Sequence, residues 1–259
     1  MTPRESLCLL VTLTVPFFSL GQLSAQVLSE HQFRLRLTAT SFDPATLVLT
    51  CTILNKSKTA ATAWSILVRT QYEDGLQSEY HFTEDFLLTD PRSNPEAPQL
   101  HSSGPLLPNM KRRIRLHAER RSDFTPVHSM QATVVASLYE DGTTIGSRVR
   151  IDEILYARAV RAAEITRWLR KLKSVKPDTR SLSDLLTQSN NLRDNDINSR
   201  PDAMYQRVAI QALMQRALHE MSQDHRSDPT VIWKALLNEL NTQLILLDRH
   251  ISFNWRELK

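Results

Sequence analysis

Glycine is almost missing from this chain: there are 5 in 259 residues, where average usage would give roughly 18. One of them, Gly21, lies in an N-terminal stretch of its own character, which leaves Gly75, Gly104, Gly142 and Gly146. Glycine-rich phosphate loops and nucleophile elbows need glycine where the backbone approaches a ligand or turns sharply. Nucleotide-dependent chemistry and elbow-type hydrolysis are therefore disfavoured. Cysteine is as scarce, with only Cys8 and Cys51. If Cys8 is removed by processing, no internal disulfide can form and stability has to come from packing. Long apolar runs are also lacking after the N-terminus, where none reaches the ~20 residues that span a bilayer. The mature chain is expected to carry no transmembrane segment.

The N-terminus itself has the make-up of a secretory signal. Arg4 and Glu5 precede an apolar run over residues 7–20, and a polar stretch then ends in Leu23-Ser24-Ala25. This order predicts cleavage between Ala25 and Gln26. An uncleaved anchor competes with that reading, but the run is short for a membrane span. Cys8 opens the apolar run instead of following it, unlike a lipid-anchoring cysteine, and no twin arginine precedes the run. The protein is expected to be exported, to the periplasm or the medium.

Residues 26–150 read as a β domain. Residues 33–37 alternate as Phe-Arg-Leu-Arg-Leu, and residues 47–53 and 64–72 are rich in strand formers. Alternation puts Cys51 on the face of Leu49 and Ile53, as a buried, inert thiol. Tyr-Glu-Asp-Gly occurs twice, at Tyr72 to Gly75 and Tyr139 to Gly142, each at the end of a strand pattern. Asp-Gly predicts two-residue hairpin turns with positive φ. The doubling is either a pseudo-repeat or convergent turn chemistry. Between them, residues 90–109 hold Pro91, Pro95, Pro98, Pro105 and Pro108, which predicts a long extended surface loop.

The segment after that loop alternates again. Lys111, Arg113, Arg115 and His117 share one face of a strand, with Arg112, Ile114, Leu116 and Ala118 on the other. The four outward residues are the candidate site for an anion or an acidic partner; a solvated face that guards a sheet against mispairing is the competing account.

The periodicity changes from two to three-and-four near Ile151. Ile151, Ile154, Leu155, Ala162, Ile165, Leu169 and Leu172 form an apolar stripe. Arg158, Arg161, Arg167, Arg170, Lys171 and Lys173 flank it, which predicts an amphipathic basic helix stopped by Pro177. A short helix is expected over residues 183–192 and another over 203–221. Asp228-Pro229 then caps a last helix with Trp233, Leu236, Leu237, Leu240, Leu244 and Leu247 on one face. No flexible linker separates the strand ending near Arg148 from the helix at Ile151, so residues 151–259 are expected to dock on the β part.

Several of these strings occur in a familiar order. Cys51-Thr52-Ile53-Leu54-Asn55-Lys56-Ser57 is followed by residues 64–75, by Leu107-Pro108-Asn109 before the strand at Lys111, and by Ser137-Leu138-Tyr139-Glu140-Asp141-Gly142. Over residues 30–150 this resembles the FxLYD-type family of bacterial envelope domains. The resemblance implies a small immunoglobulin-like β-sandwich, with no enzyme activity and no shared site. The fold expected for the whole chain is α+β: an N-terminal antiparallel immunoglobulin-like β-sandwich followed by a helical region.

The search for chemistry yields little. The densest group of metal-type residues is His219, Glu220, Asp224 and His225, but His219 and His225 would point about 120° apart on a helix of ~3.6 residues per turn. No serine stands in a nucleophile context, and neither a cofactor nor a metal is predicted. The leading expectation is a noncatalytic interaction protein of the cell envelope, whose partner is an envelope protein or an anionic polymer and not nucleic acid. Two alternatives stand beside it: a hydrolase with a site at the junction of the two halves, and a binder of anionic envelope polymers through the basic strand face.

Overall fold

The computed structural model describes residues 34–88, 104–118, 121–122, 125–193, 201–223 and 228–251. The expected signal and its cleavage point at Ala25 and Gln26 lie outside the described residues, as does most of the proline-bearing loop. The architecture is α+β, with seven strands in two antiparallel sheets followed by four helices among the described residues. β1 (Leu35–Asp43), β2 (Val48–Asn55) and β5 (Lys111–His117) form one sheet in the order β1-β2-β5. β3 (Ala61–Tyr72), β4 (Gln77–Asp85), β6 (Val127–Tyr139) and β7 (Thr144–Gly146) form the other in the order β4-β3-β6-β7.

The two sheets share one core because successive side chains of a strand leave opposite faces, and one face of each sheet meets the other. Leu49, Cys51 and Ile53 of β2 and Ile114 and Leu116 of β5 meet Trp64, Ile66 and Val68 of β3 and Met130 and Val134 of β6 in a single buried cluster. Trp64 has no exposed surface and lies with its ring centroid 5.0 Å from that of Phe86. Burial pushes the Cys51 thiol up to about 11, so it stays protonated and inert.

Both Tyr-Glu-Asp-Gly strings do form hairpins, but not with two-residue turns. The Tyr72 amide donates to the Leu76 carbonyl and the Gly75 amide to the Tyr72 carbonyl, each at 3.0 Å; Tyr139, Thr143 and Gly142 repeat this pattern at the same distances. The loops are thus three residues, Glu-Asp-Gly. Only the glycines have positive φ, 83° in both. The reason lies in the aspartates: Asp74 Oδ1 accepts the Leu76 amide and Asp141 Oδ1 the Thr143 amide, both at 3.0 Å. That side-chain bond closes a turn with ordinary φ at Asp and leaves the left-handed position to glycine. Since β3 and β6 pair antiparallel at the centre of their sheet, the hairpins β3-β4 and β6-β7 face opposite ways.

Part of the expected surface loop is structural. Leu106 is fully buried and exchanges both backbone hydrogen bonds with Ala61, at 2.9 and 3.0 Å. Asn55, also fully buried, holds this segment: its Nδ2 donates to the Leu106 carbonyl (2.7 Å) and the Thr59 carbonyl (2.9 Å), and its Oδ1 accepts the Ser57 amide (2.9 Å). The same carbonyls also accept the Ala61 amide and the Ser57 hydroxyl, so the Asn55 amide gives each a second donor where the loop enters the core.

The helices are α1 (Arg148–Lys173), α2 (Thr179–Arg193), α3 (Pro201–Gln223) and α4 (Pro229–Ile251). Asp178 starts α2 by accepting the Ser181 amide at 2.7 Å, and Asp228 starts α4 by accepting the Thr230 amide at 2.9 Å, with Pro229 in the first turn, where its missing N–H costs nothing. Among the described residues, no helix is long and apolar enough to cross a membrane. α1 serves two layers. Its first half lays Ile151, Ile154 and Leu155 on Ala63, Ala136 and Leu138 of the four-stranded sheet. Its second half lays Ile165, Trp168, Leu169 and Leu172 among Leu182, Leu186, Ile210, Met214, Trp233 and Leu240 of the other helices.

Asn55→Ala is expected to destabilise the protein by about 2 kcal/mol, because it takes the acceptor from the buried Ser57 amide and one of two donors from each of the Leu106 and Thr59 carbonyls. The urea midpoint should fall with an unchanged slope; a loss under about 0.5 kcal/mol would show that the anchor contributes nothing.

Candidate functional site

Two arrangements of charge stand out, one buried at the end of β4 and one exposed on β5. The buried one follows from the two-residue period of a strand. Glu84 and Asp85 are consecutive, so their side chains leave opposite faces of the sheet. Glu84 pairs across with Trp64, whose ring is in the core between the sheets, whereas Asp85 pairs with Ala63, which is covered by α1.

Asp85 is held by Arg158 of α1 through two bonds, Nε to Oδ2 at 2.8 Å and Nη2 to Oδ1 at 3.0 Å, and both side chains are buried. Arg158 Nη2 also donates to Thr62 Oγ1 at 3.1 Å, and Asp85 Oδ1 accepts the Leu87 amide at 3.0 Å. Two parallel N–H to oxygen bonds match the planar guanidinium to the planar carboxylate, which fixes the angle as well as the distance. The pair thereby sets where α1 lies on the sheet.

Glu84 meets Arg112 of β5 at 3.5 Å, on the other side. Arg112 also donates to the Gly104 carbonyl at 2.9 Å, and its guanidinium lies 4.4 Å from the Phe86 ring centroid and 5.4 Å from that of Trp64. Burial pushes the Glu84 carboxyl up to about 7, with Arg112 pulling it back only in part. The same burial lowers Arg112, opposed by Glu84. Both shifts say that burial outweighs the mutual attraction at this distance. The guanidinium keeps its charge, since it has two aromatic faces and a carbonyl to satisfy it, and the carboxyl is the group that takes up a proton.

Among the residues that the sequence singles out, Lys111, Arg113, Arg115 and His117 are all exposed and all leave the outer face of the edge strand β5. Their neighbours along the strand, Arg112, Ile114 and Leu116, are buried. No ion pair among the described residues reaches Lys111, Arg113 or Arg115. Thr50, Thr52 and Leu54 of β2 pair with Arg115, Arg113 and Lys111, and Arg36 of β1 pairs with Leu54. This brings a further cation to the same face. Asp43 lies at the far corner, with its carboxylate taken up by the Ala45 amide and the Thr46 hydroxyl.

Elsewhere the structure revises the reading of α1 as a helix flanked by free cations. Arg158 and Arg161 are 1% and 2% exposed. Arg161 points among the helices, toward the Gln206 carbonyl (3.5 Å) and Gln243 Oε1 (3.4 Å). A helix covered by a sheet on one side and by helices on another has little circumference left for solvent, so two of its arginines fall inside. The signal for Arg158 was present in the spacing, since 151, 154, 155, 158, 162 and 165 are one three-and-four series. For Glu84 and Asp85 it was weaker: two acids in succession where a strand ends. Arg36 could not be assigned to this face without the strand order.

His219 is exposed on α3, while Asp224 and His225 fall outside the described residues. Among the described residues, no three His, Cys, Asp or Glu side chains are grouped to hold a metal ion. No family model matches this chain, and no curated protein and no solved structure matches it either.

Two outcomes test the buried charges. Arg158→Met strands the Asp85 carboxylate and should cost about 3–5 kcal/mol, whereas Asp85→Asn with Arg158→Met should recover most of that loss, since asparagine keeps the bond to the Leu87 amide. Strictly additive costs in denaturant unfolding of the four proteins would contradict the pairing. For Glu84 the folded-state value lies above the ordinary 4.5, so the folded state holds the proton more tightly. Its contribution is full below pH 4.5 and is lost as pH rises toward 7. Relative to Glu84→Gln, the natural protein should lose on the order of 2 kcal/mol between about pH 5 and 8, measured by urea unfolding across that range. Parallel curves would contradict the assignment.

Proposed function

We propose that this chain is a noncatalytic, exported binding protein that takes an anionic ligand on the outer face of the three-stranded sheet. The observation that carries this reading is the row of Lys111, Arg113 and Arg115, exposed on one strand face and without an ion pair among the described residues. Charges that are not spent on internal pairs keep their full attraction for a ligand. The buried charges are employed differently: Asp85 and Arg158 are joined at the junction of the sheet and the helices, where the alternative of an envelope hydrolase would need free carboxylates. That favours the binding reading over the enzyme.

In this reading the β half is an immunoglobulin-like sandwich, supported by two antiparallel sheets of three and four strands around one core and by the resemblance to FxLYD-type domains. Residues 1–25 act as the removable export signal, which places the ligand in the cell envelope or outside it. The helices cover the outward face of the four-stranded sheet at Ala63, Ala136 and Leu138 and leave the basic face to the ligand.

Binding of the purified chain to a sulfated polysaccharide should weaken on the order of twenty-fold between about 50 and 200 mM salt, as expected for some three cations each releasing counterions. The double substitution Arg113→Ala, Arg115→Ala should weaken it at least about ten-fold at the lower salt and flatten that dependence. Salt-independent binding, or binding untouched by the double substitution, would rule this face out.

A further inference from the structure

Strand geometry turns the basic row into a ruler. Lys111, Arg113 and Arg115 are alternate residues of β5, so their α-carbons recur at about 6.7 Å and the three span about 13 Å. Arg36 lies two strands away, opposite Leu54, which is itself opposite Lys111, or about 9.6 Å across the sheet. Arg36 Nε is buried and has no hydrogen-bond partner. At ionic strength near 0.15 M, charges attract effectively only within about 8 Å. One anion at Arg113 is felt by its two neighbours about 6.7 Å away, but the paired bonds of a guanidinium are made only to an anion of its own, so a ligand gains most when it brings one anion to each cation.

Resting on the binding reading above, we propose that the ligand is a linear polymer of phosphodiesters separated by short spacers, laid along β5 with successive phosphates at Lys111, Arg113 and Arg115. An extended chain in which a three-carbon unit joins each phosphate to the next repeats at a distance close to that between alternate strand residues. A sugar-acid chain fits less well, because successive carboxylates leave opposite sides of its ribbon and only every second one faces the protein. The guanidinium groups suit phosphate oxygens, to which they can donate two parallel bonds. Thr50 and Thr52, between β5 and β1 on the same face, add hydroxyl groups beside the path of the polymer. Arg36, about 9.6 Å from Lys111 and so beyond a single repeat, meets a fourth phosphate through the reach of its long side chain where the polymer crosses β2.

The probes are synthetic oligophosphodiesters with equal numbers of phosphates, joined by three-carbon or by twelve-carbon spacers, and a polygalacturonate of matched charge, titrated against the full chain near 0.1 M salt. The three-carbon oligomer should bind at least about five-fold tighter than either of the others. Arg113→Ala should remove most of that preference, and Arg36→Ala should weaken the three-carbon oligomer about three-fold. Circular dichroism of both variants should match the natural protein, since Arg113 is exposed and Arg36 is only half-buried. Equal affinity for the two spacers would overturn the ruler while leaving a general anion-binding face intact. Tighter binding of the polygalacturonate would overturn it in favour of a carboxylate polymer. Failure of all three probes to bind would overturn both this inference and the function on which it rests.

Discussion

Two acids in succession on a strand cannot point the same way, and the assembly of this protein is organised around that constraint at the end of β4. Glu84 turns inward and meets Arg112 from the opposite sheet; Asp85 turns outward and meets Arg158 from α1. One dipeptide thus ties the three layers of the molecule. The two pairs differ in kind. Asp85 and Arg158 make a bidentate pair with Thr62 and the Leu87 amide satisfying what is left over, so a buried charge pair is tolerated at that point. Glu84 and Arg112 are further apart, and Arg112 relies as much on Trp64 and Phe86 as on the carboxylate. Hence the outward pair locks position, whereas the inward pair leaves a carboxyl that takes a proton near neutrality.

The chain beyond Asp85 shows why the helices have a fixed seat. Leu87 and Leu88 follow at once and pack against the helical cluster, so the strand that carries the ionic knot also feeds apolar surface to the other half. α1 completes the joint by presenting apolar residues to the sheet in its first turns and to the other helices later. A helix used on two sides has to bury polar residues as well, and Arg161 and Glu164 are the cost of that arrangement. Glu164 accepts the Trp168 indole N–H at 3.0 Å and pairs with Arg167, which keeps the buried Glu164 carboxylate satisfied.

With its internal charges spent on these joints, the molecule has the outer face of β1, β2 and β5 on which to display free ones. Edge strands commonly carry lysine and arginine because such residues prevent pairing with other sheets. A row that guards the edge and a row that binds an anion have the same composition. Because β1 is the other edge of this sheet, Arg36 fits either account; what separates them is Thr50 and Thr52 of the central strand β2, which join the row and Arg36 into one polar face. Guarding the two edges would need nothing from the central strand.

Local patterns in the amino-acid order were enough to divide the molecule into strands followed by helices, because periods of two and of three-and-four each reflect one buried face; they put the change at residue 151, three residues after α1 begins. They also placed Lys111, Arg113, Arg115 and His117 together, since residues on one face of one strand are neighbours whatever the rest of the fold does. The turn strings were recognisable as hairpins, but their length was misjudged: the aspartate side-chain bonds that make them three-residue loops are a matter of detailed backbone geometry. Everything that joins residues far apart in the chain was decided by tertiary structure. Asp85 and Arg158 are 73 residues apart, Asn55 and Leu106 are 51 apart, and Arg36 reaches the basic face only because β2 lies between β1 and β5. An isolated segment carries the periodicity that says which of its faces is buried; which other segment buries it, and which charge meets which, depends on strand order and layer packing, which no local pattern encodes.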